Sequence, residues 1–351
     1  METPPRPSDR RALLKLYALQ GSRSIAPEAP SRAPRQVVLF FMRFCNIEVR
    51  GMRPLALAVL VSLSAASAAL AGPGVVVSTV APLHMVVVEL AGDRVEAKLL
   101  LGPGDSPHTY SPKPSDLAMV SRARLFLAVG LGNEVFLDEI KRVASGAKVV
   151  ELAEEMLERG MFEPIRGHHH HGSHGDHGHG EGDHHDVNPH VWLSPRIGVR
   201  MVERIAELLS EIDPEGAKLY GERSRGLVER LKALDAEMSS FASSHRVSMI
   251  DVHGAFAYLA RDYGFDLVGV VQETPGAEPS GKYLADLIER GRARGVNVVV
   301  VEPQLPPKLA EVLARELGAR VLRLDPLGDP AKETYDGLLR RNFEAIARAV
   351  R

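Results

Sequence analysis

The sequence predicts an α/β protein made of two similar parallel-sheet α/β lobes separated by one long helix, with the ligand site in the cleft between lobes. Three observations carry that prediction. From Val75 onward, strand-like and helix-like segments alternate, the sign of parallel α/β construction. A long amphipathic stretch interrupts the alternation midway. A short pattern also recurs on both sides of it: Pro114-Ser115-Asp116-Leu117, then Ser121-Arg-Ala-Arg and Leu125–Val129, against Pro279-Ser280 with Leu284, then Arg292-Ala-Arg and Val296–Val301. A duplication of this kind sets two alike lobes around a cleft, the usual place for a ligand.

Taken in order, Val75–Val80 reads as a buried strand and Leu83–Leu90 as a helix stopped by Gly92. Val95–Leu100 is a strand, Ser115–Ala123 a helix, Leu125–Val129 a strand, Glu134–Ala144 a helix and Ala147–Val150 a strand. Pro195 opens the next helix, and Asp213-Pro214 reads as an N-cap followed by proline at the first helical position. From Pro214 to about Ser244, Leu227, Leu231, Leu234, Met238 and Phe241 fall at alternating four- and three-residue steps, one amphipathic helix roughly 45 Å long. The alternation then resumes with strands Val247–Asp251, Leu267–Val271, Val296–Val301 and Arg320–Leu324. Helices Ala255–Tyr263, Gly281–Arg294, Pro307–Leu317 and a last one from Glu333 lie between and after them. The resulting domain plan is an N-terminal lobe over 72–195, a helical region over 196–245 with the linker helix at 214–244, and a C-terminal lobe over 246–351.

With 43 Lys and Arg against 45 Asp and Glu, mixed throughout, the chain has no basic stripe to follow phosphates, so nucleic acid is excluded as a partner. Arg53, the apolar run from Pro54 and the small-residue stretch ending Ala69-Leu70-Ala71 describe a secretory signal over 52–71, with an apolar run shorter than a usual membrane span. Residues 1–51 then read as an unstructured leader ahead of a start at Met52 or Met42; the competing reading is an uncleaved N-terminal anchor. Cys45, the only cysteine, falls in that leader, which removes disulfides and thiolate metal sites from the rest of the chain. Any metal site must use histidine and carboxylate.

Nine of the 14 histidines crowd one tract, 167–186. There His168, His169, His170, His171, His174, His177, His179, His184 and His185 are interleaved with Gly, Asp and Glu. Imidazoles on such a backbone form a pliable donor set for borderline-soft divalent ions, zinc first, and read as weak secondary sites; the alternative is a solvated linker. Five histidines remain. His84 on a helix and His245 at the end of one read as structural. His108, His190 and His253 lie in loops or at element starts, where open parallel sheets bind ligands, and Asp325 directly follows the last strand. Three neutral imidazoles and one carboxylate would suit zinc better than the oxygen-rich shells of manganese, calcium or magnesium. Each residue alone also has a bland reading, a hydrogen-bonding loop histidine or, for Asp325, a turn starter. Glu302 and Glu278 read as partners of such ligands or as surface acids. Gly130-Leu-Gly132 is too short for a dinucleotide loop, since Val135 stands where the third glycine would be.

Three stretches carry a family resemblance. Gly104-Asp-Ser-Pro-His108-Thr-Tyr-Ser-Pro-Lys-Pro-Ser-Asp116, Asn188-Pro-His190-Val-Trp-Leu-Ser-Pro195 and His253-Gly-Ala-Phe-Ala-Tyr-Leu-Ala-Arg-Asp-Tyr-Gly264 resemble the signatures of the zinc- and manganese-type solute-binding proteins of ABC importers. Val301-Glu302-Pro-Gln304 and Leu324-Asp325-Pro-Leu-Gly-Asp329 are similar to two further blocks of the zinc branch. The resemblance implies two four-stranded lobes joined by a rigid helix, His108, His190 and His253 as ligands, and Asp325 where the family has a carboxylate or leaves a water. It further implies zinc rather than manganese, because manganese binders tend to carry Glu at the position of His253. A monomer outside the cytoplasmic membrane, on its periplasmic or extracellular face, would capture zinc, shed imidazole protons and pass the ion to a permease with its ATPase. Ser194 and Gly254 depart from the family pattern, where Asp is common. The competing readings are a binding protein for manganese or another divalent metal, a surface adhesin or metal buffer, and a zinc hydrolase, which lacks an HExxH pair and an evident general base here.

Overall fold

A computed structural model describes residues 74–166, 187–272 and 278–350, all within one compact unit, Leu70–Arg351. The leader, the signal and the histidine tract lie outside the described residues. In the first lobe β1 (Val75–Ser78), β2 (Glu96–Leu99), β3 (Ala123–Ala128) and β4 (Lys148–Glu151) form a parallel sheet in the order β2-β1-β3-β4. In the second, β5 (Ser248–Asp251), β6 (Asp266–Val270), β7 (Val298–Val301) and β8 (Arg320–Arg323) repeat it as β6-β5-β7-β8, again all parallel. The same strand order twice is the architecture that the recurring pattern predicted. In both sheets the chain steps outward, returns across its first strand and continues the other way, which opens a crevice between β1 and β3 and between β5 and β7.

The valine runs explain the layering. Parallel strands covered on both faces are apolar throughout, and successive side chains point to opposite faces. Val76 of β1 and Val298 and Val300 of β7 enter one large core that includes residues of both lobes. Val77 faces a smaller core with Phe126 and Ile140, and Val299 and Val301 face another with Leu287 and Leu313. The helices packed on these faces are α1 (Ala81–Ala91), α2 (Pro114–Val120), α3 (Leu137–Val143), α4 (Leu152–Glu158), α5 (Pro195–Ile212), α6 (Ala217–Ser244), α7 (Ala257–Asp262), α8 (Gly281–Arg294), α9 (Lys308–Leu317) and α10 (Tyr335–Val350).

Helix α5 starts where expected, with Pro195 in its first turn and the Ser194 hydroxyl accepting from the Ile197 N–H. The long helix needs two amendments. Pro214–Gly216 form a 3-10 turn, and the α-helix proper begins at Ala217. Asp213 does not cap it through its side chain, because its carboxylate is taken by the Arg94 guanidinium (2.7 and 2.9 Å) and the Tyr220 hydroxyl. Leu227, Leu231, Leu234, Met238 and Phe241 are all buried, as the periodicity required. Helix α4 was missing from the sequence reading; it is only seven residues long, with Leu152, Ala153 and Met156 as its buried face.

Candidate metal centre

Each of the three candidate histidines sits in a connection between elements, and each is held by local chemistry. His108 lies in the connection from β2 to α2, where the Thr109 and Tyr110 N–H groups both donate to the Ser106 carbonyl and fold the chain around it. Tyr110 then donates to Asp116 (2.7 Å) and packs edge-on against Phe136, anchoring the loop beyond His108. His190 precedes α5, and the Asn188 side chain accepts its backbone N–H at 3.0 Å. His253 follows β5, and the Asp251 carboxylate accepts its N–H at 3.2 Å and that of Phe256 at 3.0 Å. Two candidate ligands thus share one device, an Asn or Asp two residues upstream that bends the chain through its own backbone. Asn188 also donates to the Gly254 carbonyl at 2.9 Å, which ties the His190 and His253 loops together.

The arrangement brings the three rings to one point. One nitrogen from each of His108, His190 and His253 lies within 4.8 Å of the others. Ring centroids are 4.9, 5.0 and 5.5 Å apart with mutually tilted planes, and the His108 and His253 Nε2 atoms are 3.1 Å apart. Nitrogens bound tetrahedrally at 2.0–2.1 Å from zinc would stand roughly 3.3 Å from one another, so this pair already has that spacing. His190 Nδ1 lies 3.1 Å from Asn188 Oδ1, a contact that fixes the proton on Nδ1 and leaves Nε2 as donor. Trp192 packs 5.3 Å from the His190 ring and donates to the Pro326 carbonyl at 2.7 Å, closing the far side with a wall from the second lobe.

Burial sets the charge. It lowers His108 to about 4, helped by repulsion from His253. Burial likewise lowers His253 to about 4, the Gln272 carbonyl pulling the other way. His190 is pushed well below the usual imidazole value, by burial first and then by the other two rings. The direction is the same for all three: burial favours the neutral ring, the form that binds a metal ion.

Carboxylates crowd the C-terminal ends of three neighbouring strands, Asp251 on β5, Glu302 after β7 and Asp325 after β8. Burial raises the Asp251 carboxyl, and burial together with repulsion from Asp251 and Asp325 raises Glu302 well above the carboxylate range. Asp325 is outside the trio in this conformation. Its Oδ1 accepts from the N–H groups of Leu327 (3.1 Å) and Gly328 (3.0 Å), and Arg341 is 3.6 Å from Oδ2. Glu302 is buried and lines one cavity with Pro107, His108, His190, Trp192 and Gln304, whereas Glu278 is exposed. Asn188, Asp251, Glu302 and Gln304 are site residues that sequence reasoning left aside or unresolved; the Asx-x-His spacing was the available signal for the first two. His245 ends α6 as expected, stacked on Phe241, and His84 lies on α1. Gly130-Leu131-Gly132 wraps with positive φ throughout around a buried carboxylate, that of Glu134, which accepts from the Val129 and Gly130 N–H groups; no dinucleotide loop is formed. The two departures have local causes: Gly254 has φ +86°, a region that disfavours Asp, and Ser194 caps α5 and bonds Asp262.

Comparison with known proteins agrees with this fold. The zinc-binding lipoprotein AdcA of Streptococcus pneumoniae is 30% identical over 280 residues, covering 77% of this chain; the chain spans about half (54%) of that relative's length. The high-affinity zinc uptake system protein ZnuA of Bacillus subtilis is 28% identical over 293 residues, 77% of this chain and 86% of its own. Among solved structures, a zinc-bound ZnuA with residues 138–173 deleted superposes with a TM-score of 0.65 at 28% identity, over 79% of this chain and 98% of that one. The profile of the family described as zinc-uptake complex component A, periplasmic, matches residues 76–349, and the chain belongs to that family.

Proposed function

We propose that the protein captures one Zn(II) ion outside the cytoplasmic membrane and delivers it to an ABC-type permease driven by a cytoplasmic ATPase. The observation that carries this reading is the convergence of His108, His190 and His253 from separate parts of the chain, neutral and spaced for a tetrahedral ion. Three imidazole nitrogens favour zinc over manganese, which prefers oxygen donors. The names of the AdcA and ZnuA relatives support the same cargo. In this reading the site captures its ion, and the carboxylate of Asp251, spent on backbone N–H groups, shapes the His253 loop. Among the described residues no helix is long and apolar enough to cross a membrane.

Asp325 is the carboxylate expected in the fourth place. To reach the ion it must release two backbone N–H groups, and hydrogen bonds to a charged acceptor contribute about 1.5–3 kcal/mol each. The histidines at 168–185 serve in this reading as weak collecting sites that feed the cleft. Calorimetry tests both parts. One tight zinc event per chain is expected, lost in His108→Ala and His253→Ala, with weak events alone lost on deletion of 168–185. Tight binding retained in both histidine variants would overturn the ligand assignment, and its loss on deletion would move the primary ligands into the tract.

A further inference from the structure

The crevice between β1 and β3 and the crevice between β5 and β7 are equivalent places in the two sheets, and each holds a buried glutamate. In the first lobe the glutamate is fully used: Glu134 Oε1 accepts from Thr79 and from the Val129 N–H, and Oε2 accepts from the Gly130 N–H. In the second lobe Glu302 is only 6% exposed, yet its Oε1 accepts no hydrogen bond from any described residue. Gln304 Oε1, on the same cavity wall, is also without a donor among the described residues. Buried polar atoms are nearly always satisfied, so an unpartnered oxygen on a residue that lines the cavity of His108 and His190 calls for a donor. Asp325, the other carboxylate nearby, already has its Oδ1 engaged by two backbone amides.

We propose that Glu302 anchors the fourth donor on the captured ion, a water molecule that donates a hydrogen to the free carboxylate oxygen while Asp325 stays in its turn. This deepens the zinc reading above and rests on it. A water bound to zinc is a stronger donor than bulk water, and an acceptor fixed behind it orients it and strengthens its bond to the metal. Glu302 is thus a positioning residue, acting on the ion through the water.

The test measures zinc affinity by chelator competition, together with the melting temperature of the metal-free protein, in Glu302→Met, Glu302→Asp, Asp325→Asn and His108→Ala. Methionine fills the space but accepts no hydrogen bond, and aspartate keeps the charge but withdraws it by one methylene. Both are expected to weaken zinc on the order of 10–100-fold, the usual effect of removing a group that orients a ligand. Glu302→Met should also melt higher than wild type without metal, because an unpartnered buried carboxylate is gone; a purely structural role would lower it. Asp325→Asn should keep wild-type affinity. Cobalt(II) as a probe should give a tetrahedral spectrum in wild type and an altered one in Glu302→Met. Wild-type affinity in Glu302→Met or in Glu302→Asp overturns the inference, as does loss of affinity in Asp325→Asn or a lowered melting temperature in Glu302→Met. Tight zinc in His108→Ala would instead sink the metal-site reading beneath it.

Discussion

Replacing Asp251 by alanine should damage both the fold and the metal centre, by an amount that follows from its hydrogen bonds. The carboxylate is fully buried and accepts the N–H groups of His253 and Phe256 at 3.2 and 3.0 Å. Alanine leaves both donors buried without an acceptor, and each such orphan costs about 1–3 kcal/mol, so the metal-free protein should lose about 2–6 kcal/mol of stability. That is a large part of the 5–15 kcal/mol typical of a folded domain. Asp251→Asn keeps one oxygen acceptor and should lose less. Urea unfolding of the metal-free protein followed by circular dichroism measures the loss, and a zinc titration on the still-folded fraction should show weaker binding, because the turn that aims His253 has gone. A loss below about 1 kcal/mol with zinc binding unchanged would refute the claim that this buried acid is what shapes the His253 loop.

The three rings should titrate far below ordinary imidazole: in the metal-free protein, NMR should show His108 and His253 uncharged from pH 8 down to about 5 and protonating near 4. The sign for stability follows. The unfolded chain takes up protons at these rings below about 6.5 and the folded chain does not until about 4, so their contribution is complete above 6.5 and is lost as pH falls toward 4. Gly254→Ala should cost about 1–2 kcal/mol, since φ is +86° and an added Cβ would meet Val270 at 3.0 and 3.1 Å; an unchanged denaturation midpoint would contradict it. Zinc at a free concentration 100 times its dissociation constant should add about 2.7 kcal/mol of stability, reversed by chelation, and thermal melts with and without chelator check this.

Much of the architecture was legible because parallel strands buried on both faces write themselves as valine runs, and because the long helix repeats its apolar positions. What escaped were features decided by distant partners. Asp213 resembles a cap in sequence, but Arg94 lies 119 positions away in the chain and reaches its carboxylate first. The loop histidines could be singled out by type and by their place at strand ends, and the family resemblance assigned them a role. Glu302 stood out from Glu278 in sequence only by its family-like block, and the fold adds that it is the buried one, in the cavity of His108 and His190, whereas Glu278 is exposed. Residues such as Asn188 and Asp251 act on the backbone two positions ahead, a spacing visible in the sequence whose meaning depends on the chain turning there.

The trio is assembled by a scaffold that leaves the lobes little freedom to swing. One apolar core includes Val76 and Leu127 from the first sheet, Val298 and Val300 from the second, and the buried face of α6 between them. Arg230 on α6 bonds Glu89 of α1 and Asp336 of α10, and Tyr335 donates to the Trp192 carbonyl at 2.6 Å. A wide hinge opening would break that core, whereas the loop bearing His108 lies outside it and the loop bearing His253 joins it only through Ala255 and Phe256, so both can adjust within the frame. Hydrogen exchange should therefore report nearly equal protection of the eight strands and of α6 with and without zinc, and added protection on loading only around residues 101–113 and 252–256. Strand or α6 amides that become strongly protected only on zinc binding would mean that the lobes close as hinged bodies, and the site would then be completed by the ion instead of awaiting it.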